Sequence, residues 1–421
     1  MSKLQKYAFA DLYDMTSGIS STKEQAGHGA PFVSFSTVFN NYFLPCELTD
    51  LMDTSEREQE IYSIKKGDIL ITRTSETVDE LAMSCVALKD YPKATYSGFV
   101  KRLRPKTTGI AYDKYMAFLL RSKYFRKVIN SNTIMTLRAS FNEDIFSFLT
   151  LYLPDYEEQV KIGDMLYNVE RKISVNKKIN DNLQQQLKLM YDYWFTQFDF
   201  PSKDGSPYRS SGGQMVPANG VSYPIPVDWQ VETVFKNRLS SIIKPGVMPF
   251  TTKTYLATAA VNGTSISTRN TVDFETRESR ANMQPTENSV WFAKMKKSIK
   301  HLYLNPAMKP LIEESILSTG FCGLQCSEHS FEYIASFIEH SYFEALKDTL
   351  AHGATQEAVN NDDLAGIALV IPSDEVLRLY HERTKGIYTQ MSKNICENQE
   401  LIRLRDWLLP MLINGQATVS D

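Results

Sequence analysis

Cysteine is scarce in this chain. Cys46, Cys85, Cys322, Cys326 and Cys396 are odd in number and widely scattered over 421 residues, which excludes a disulfide scaffold and fits a reducing, cytoplasmic setting. Cys322, Cys326 and His329 are the only tight grouping of metal-ligating types. Structural zinc sites use four ligands in paired knuckles, so this trio reads as strand core or surface, and no metal is expected. Long apolar runs are also missing. Ile367–Ile371 is typical of those present, far short of the roughly 20 residues that cross a bilayer. The start, Met1-Ser2-Lys3-Leu4-Gln5-Lys6, has neither an apolar segment nor a small-residue cleavage site, so no secretion signal is expected.

Basic charge is not in excess. A net charge of −3 and a pI near 6.1 argue against indiscriminate nucleic-acid binding, which shows as a basic domain. The tools of several chemistries are absent as well. There is no Gly-x-x-x-x-Gly-Lys-Ser/Thr phosphate loop, so an ATP-driven motor is excluded. The nearest approach to an adenine-methyltransferase Asn/Asp-Pro-Pro-aromatic motif is Asn305-Pro306-Ala307-Met308, without the second proline or the aromatic. Pro154-Asp155, followed by Glu157, Glu158 and Lys161, has the residue types of a nuclease site but the wrong spacing. Acidic residues in a first helical turn are expected from the helix dipole alone. With six histidines and no Ser/His/Asp or Cys/His set, the chain reads as performing no chemistry of its own.

What is present is a repeat. The length exceeds that of one growing core, so at least two domains are expected. Pro154 after an apolar run matches Pro372 after Ile367–Ile371, 218 residues on. The same offset pairs Tyr115 with Tyr333, Tyr124-Phe125 with Tyr342-Phe343, and Asp144 with Asp362. Ser97-Gly98-Phe99 matches Thr319-Gly320-Phe321 at an offset of 222, and Gly67–Ile71 aligns loosely with Asn288–Phe292. Each copy opens strand-rich, with strands expected at Asp68–Thr72 and Tyr96–Leu103, then at Ser289–Ala293 and Leu317–Leu324. Helices are expected near Tyr115–Asn130 and Phe331–Leu350.

Each copy ends in a long helix. Ile162, Leu166, Val169, Ile173, Asn176, Asn180, Leu183, Leu187, Met190 and Trp194 follow an unbroken 4-3-4-3 spacing, the seam of a coiled coil. The second seam, Tyr380, Thr384, Ile387, Met391, Asn394, Asn398, Leu401, Arg405, Leu408 and Leu412, is weaker at Thr384 and Arg405. Two asparagines four residues apart lie near the middle of each. Antiparallel pairing would set Asn176 and Asn180 against Asn394 and Asn398 and fix the register. The alternative is two amphipathic helices on separate cores, their asparagines in solvent. Residues 201–220 hold 3 Pro, 4 Gly and 4 Ser and read as a connector.

Several separated motifs, in order, then resemble one family. Asp155-Tyr156-Glu157-Glu158-Gln159 is similar to the start of the first conserved helix of type I restriction–modification specificity subunits. Trp194-Phe195 through Phe198-Asp199-Phe200-Pro201, Gly205, Pro207-Tyr208 and Ser211–Val216 resemble the linker that follows it. Ile225-Pro226 and Trp229 resemble the entry to the second recognition domain, and Leu404–Gln416 the closing helix. Ser373–Leu377 lacks the Glu-Gln pair of the first helix start, leaving that boundary less defined. The resemblance implies an α+β chain, a pseudo-two-fold tandem repeat of two strand-rich target-recognition domains joined by two long antiparallel helices. The first recognition domain would span 1–155 and its helix 156–200. A linker at 201–220, the second domain at 221–372 and the C-terminal helix at 373–421 would follow. It further implies a non-catalytic subunit that reads a split double-stranded DNA target for adenine methylation. Two methyltransferase subunits would grip it, a motor–nuclease subunit can join them, and the adenosyl cofactor and ATP with magnesium would sit on those partners. The seam from Ile162 to Trp194 is about 50 Å long at 1.5 Å per residue, about one to one and a half DNA turns.

DNA contact calls for Lys/Arg and small polar groups at phosphates, and matched donors and acceptors at bases. In the first domain the candidates are Arg73 and Thr74 after a strand, the cluster Lys101, Arg102, Arg104 and Lys106, and Arg138 with Ser140. In the second they are Lys294, Lys296, Lys297 and Lys300, Arg269 with Arg277 and Arg280, and Gln356, which aligns with Arg138. Two other readings stay open at this point. One is a methyltransferase fused to its own reader, which would bind the adenosyl cofactor itself; the other is a coiled-coil scaffold without a DNA role.

Overall fold

The structure, a computed structural model, describes residues 4–75, 80–132, 139–267 and 270–419. The chain divides into two compact units, one of residues 1–171 with 402–421 and one of residues 172–401. The boundary therefore differs from a cut at the helix starts. The long helices Tyr156–Tyr191 and Asp374–Ile413 contribute residues to both units. Their apolar faces are needed by both cores.

The duplication shows in strand order. In the first unit a four-stranded antiparallel sheet runs Tyr13–Ser17, Val100–Pro105, Ile69–Thr72, Ser84–Val86. In the second it runs Ser240–Ile242, Phe321–Cys326, Ser289–Ala293, His301–Leu304. Each unit has a further sheet built on one parallel pair, Ala26–Val33 with Thr95–Tyr96 and Thr252–Leu256 with Ser315–Ser318. In each, an early strand pairs antiparallel with the strand that precedes the long helix: Gln5–Ala8 with Thr150–Leu153, and Gln230–Thr233 with Ala368–Ile371.

The single strands expected at 96–103 and 317–324 are each two. The chain leaves the parallel pair at Tyr96 or Ser318, turns through Ser97-Gly98-Phe99 or Thr319-Gly320, and enters the antiparallel sheet. The expected helices also break. Asp113–Leu119 stops before Lys123–Asn132, where Ser122 Oγ donates to Leu119 O and accepts from Phe125 N. Phe331–Glu339 stops at His340, whose extended backbone and Nδ1 cap Ser341–Leu350. Polar caps at mid-pattern end a helix that apolar periodicity alone would continue.

In the second unit the long helices run antiparallel. Asn176 Nδ2 donates to Asn398 Oδ1 at 2.9 Å, and Asn394 Nδ2 donates to Asn180 Oδ1 at 2.8 Å. Asn176 also donates to Glu397, Asn180 to Met391 O and Asn398 to Ile173 O. All four asparagines are buried, and every amide nitrogen among them finds an acceptor where an unpaired donor would be costly, while Asn176 Oδ1 alone has no partner. The two weak positions of the second seam have local causes. Thr384 returns its hydroxyl to Tyr380 O one turn back. Arg405, in the first unit, bonds Glu170 and lies over the Tyr42 ring at 5.3 Å. The first helix finishes in a π-turn, Asp192–Thr196. The extra residue per turn lets the adjacent Trp194 and Phe195 both enter the core, against Tyr333 and Tyr380.

The connector at 201–220 is not slack. Phe200 stacks between Tyr208 at 4.7 Å and Trp229 at 5.0 Å. The Asp199 carboxylate accepts from Ser210 N and Oγ, and Met215–Val216 pairs with Ile225–Pro226. Turn residues shape this segment, but aromatic stacking holds it to the second unit.

The asparagine pairs give a direct test. Asn176→Leu alone strands the Asn398 carbonyl oxygen in an apolar seam and should cost about 1–3 kcal/mol in denaturant unfolding. Asn176→Leu with Asn398→Leu should recover most of that loss, because both polar groups go together. A double variant as unstable as the single one would contradict the pairing.

Candidate nucleic-acid interface

At one end of the four-stranded sheet of each unit, three segments meet through equivalent backbone bonds. In the first unit, Arg73 follows strand Ile69–Thr72; its N–H donates to Phe99 O at 2.8 Å and its carbonyl accepts from Phe141 N at 2.7 Å. Thr74-Ser75 pairs with Ala139-Ser140. In the second unit, Lys294 follows Ser289–Ala293; its N–H donates to Gly320 O at 2.9 Å and its carbonyl accepts from Val359 N at 3.0 Å. Met295 bridges Ala358. The same three pieces are thus joined twice: the segment leaving a central strand, the turn between the two sheets, and the loop before residue 141 or 359.

Most of the candidates belong to these clusters. Arg73 is exposed, with Thr74 and Ser140 half-buried beside it. Lys294, Lys296, Lys297 and Lys300 all lie in the hairpin between Ser289–Ala293 and His301–Leu304. Lys297 is exposed at its tip with φ +58°, its N–H held by Asp348. Lys296 pairs with Glu357 at 2.9 Å, and Lys300 donates to Asn262. Gln356 is exposed in the adjoining loop. Arg280 is exposed, and its carbonyl accepts from Thr319 N, which sets it beside the sheet-to-sheet turn. Arg277 instead lies on Phe274, ring to guanidinium 4.0 Å, and bonds the nearby backbone. Arg138 and Arg269 lie outside the described residues.

The cluster at 101–106 is not a surface patch. Lys101 and Arg102 are buried in strand Val100–Pro105. Lys101 pairs with Glu143, and Arg102 donates to Ser63 O at 2.6 Å beneath the Tyr96 ring. Arg104 grips Asp68 with two nitrogens, which raises its pKa further. Lys106 is exposed but donates to Ala10 O. A central strand has two covered faces, so Lys101, Arg102 and Arg104 became ties within the unit, not a phosphate stripe.

A cation bonded to backbone carbonyls holds each hairpin from behind, buried in the second unit and half-buried in the first. Lys347, fully buried, donates to Ala293 O and Ser298 O and pairs with Glu344 at 2.6 Å. Glu344 also bonds His301 Nε2, and Glu339 bonds His301 Nδ1, each at 2.9 Å. Arg126 does the same for the first unit, donating to Leu81 O and Ala82 O of the matching hairpin. Neither residue stands out in the sequence, since a Lys or Arg in a helix ordinarily faces solvent.

The rejected chemistries also find structural explanations. Asp155 Oδ1 accepts from Glu158 N as a helix cap, and Asn305 Oδ1 accepts from Ala307 N at a 3-10 turn. Cys322 and Cys326 are buried in a core strand, and among the described residues no group of three His, Cys, Asp or Glu could hold a metal ion. No described helix is long and apolar enough to cross a membrane.

A duplicated scaffold that carries one set of sheet-end loops per copy, with cations at the rim, defines a class: a two-domain recognition protein. Comparison with known proteins specifies it. Residues 1–185 match the type I restriction modification DNA specificity domain. The HindI specificity subunit of Haemophilus influenzae is 23% identical, over 91% of this chain and 94% of the relative. The MjaIX specificity subunit of Methanocaldococcus jannaschii is 21% identical, over 95% and 89%. The crystal structure of the type I S subunit from M. genitalium has the same fold, with a TM-score of 0.53 at 13% identity, covering 98% of this chain and 96% of that one. Over nearly its whole length the chain is thus similar to specificity subunits of type I restriction–modification systems, and its first 185 residues match the DNA specificity domain of those systems.

Two measurements test the site. His301 is buried, which disfavours its charge, but the bonds to Glu339 and Glu344 outweigh this and raise its pKa. Burial likewise opposes charge on Glu339 and Glu344, yet their hydrogen bonds hold both below the usual range. The His301 contribution to stability is complete below its unfolded value near 6.5 and is lost as pH rises through the raised folded one. The carboxylate contributions are present above about 4.5 and are lost as pH falls through their lowered values. Tm should therefore peak between these limits, and His301→Gln should flatten the alkaline decline. An unchanged Tm–pH curve would refute the network.

The second measurement concerns the rim. Lys296→Glu with Lys297→Glu should weaken DNA binding by the assembled complex for every sequence alike. The slope of log K against log salt should fall by about 1 to 2, roughly one for each phosphate no longer neutralised. Weakening at the specific site only would show that these lysines read bases.

Proposed function

We propose that each unit reads one half of a split DNA target with the three-segment end of its sheet. The observation that carries this is the twofold occurrence of one loop arrangement with different side chains at its rim: Arg73, Thr74 and Ser140 in one copy, Lys294–Lys300 and Gln356 in the other. Phosphate contacts would come from the exposed cations, and base contacts from the side chains between them. The spacer between the half-sites is assigned to the two long helices, with Asn176, Asn180, Asn394 and Asn398 holding their register.

Two methyltransferase subunits are the proposed partners, one for each copy, joined by motor–nuclease subunits where restriction occurs. The adenosyl cofactor, and ATP with magnesium, are assigned to those partners. Mapping adenine methylation across the genome of cells expressing this chain with its methyltransferase subunit tests the proposal. A split motif is expected, abolished when the gene segment for either recognition domain is removed. A continuous motif, or a split one that survives removal of a domain, would refute it.

A further inference from the structure

We propose that Phe99 reads a base in the first half-site, its ring packing on a thymine methyl in the major groove. This rests on the assignment of the sheet-end loops as the DNA-facing surface.

Matching by sequence sets Phe99 against Phe321, but strand register does not. Thr72 pairs with Val100, and Ala293 pairs with Phe321, so Val100 and Phe321 are the equivalent residues, and both are fully buried. The equivalent of Phe99 is Gly320, the residue whose carbonyl accepts from Lys294 N as that of Phe99 accepts from Arg73 N. The fold therefore asks for no side chain at this place. Phe99 nonetheless carries a ring that is 61% exposed.

The ring is mounted on a rigid turn. Phe99 N donates to Ser97 Oγ, Val100 N to Ser97 O and Gly98 N to Ile19 O at 2.7 Å. A Cβ on Gly98 would stand 3.0 Å from Ile19 O, so the turn is pressed against its neighbour. Ordering this ring against a ligand costs little, since its backbone is already held. Its neighbours across the backbone bonds are Arg73, then Thr74 and Ser140, polar groups that suit DNA rather than an apolar protein surface. Within DNA the apolar feature in the major groove is the C5 methyl of thymine, which phenylalanine recognises by contact. The second unit has its exposed apolar side chains elsewhere, Met295 and Ile299 on the lysine hairpin, as expected if the two domains read different sequences.

The test uses the full chain assembled with its methyltransferase subunits and duplexes carrying the mapped motif. Each thymine of the first half-site is replaced in turn by uracil, which lacks only the methyl. One replacement should weaken wild-type binding about four-fold, the worth of one buried methyl group. Phe99→Ala should be insensitive to that same replacement and should relax methylation at that base pair alone. Phe99→Leu should keep part of the discrimination. A Phe99→Ala complex with the wild-type motif and uracil profile overturns the inference. So does a variant that fails to assemble with the methyltransferase subunits, which would make Phe99 a protein contact. A wild-type complex that methylates no split motif overturns the underlying reading instead, before Phe99 is altered.

Discussion

The antiparallel asparagine interlock between the long helices is the constraint on which the second unit depends. Leucine and methionine packing tolerates a slide of one heptad at modest cost, whereas four buried amides tolerate none without leaving donors and acceptors unpaired. With that register set, Tyr380, Tyr388 and Met391 on one helix and Leu187, Tyr191 and Trp194 on the other form a single face. The helices Phe331–Glu339 and Ser341–Leu350 pack on that face, and they in turn carry Glu339, Glu344 and Lys347 to the back of the lysine hairpin. Backbone order at the rim thus descends through a chain of contacts from the helix seam.

The same logic is realised with different chemistry in the two copies. Where the second unit uses a Lys–Glu–His–Glu network, the first uses the Arg126 guanidinium bonded directly to backbone carbonyls. In the first unit the helix seam closes on Arg405 and Glu170 rather than on amides. Both set a cation against backbone carbonyls, and in the second unit the fully buried Lys347 is also paired with Glu344, as a buried charge demands. The rim side chains are free of these ties, so the scaffold can stay constant while the surface residues change.

The family resemblance and the two-copy plan were legible from motif order and from the 218-residue offset. The asparagine positions were legible because their spacing coincides in both seams. Less legible was the fate of charges. Lys101, Arg102 and Arg104 looked like a DNA stripe, yet they lie on a central strand, bonded to Glu143, Ser63 and Asp68. Lys347 and Arg126 are helix cations of a kind that ordinarily faces solvent, yet both bond backbone carbonyls of the hairpins. Local sequence reports charge density; which face is covered depends on strand order, which is set by partners far along the chain.

By itself, the sequence determined the repeat, the heptad seams and the absence of the common catalytic motifs, because each is a local pattern of residue types with a fixed period or spacing. Only the tertiary structure decided that the helices serve both cores, that the turn-rich connector is clamped by stacked aromatics, and that Phe99 stands where its counterpart is Gly320. Those facts come from pairing register and burial. A one-residue shift in register exchanges a buried ring for an exposed one while leaving the sequence pattern almost unchanged.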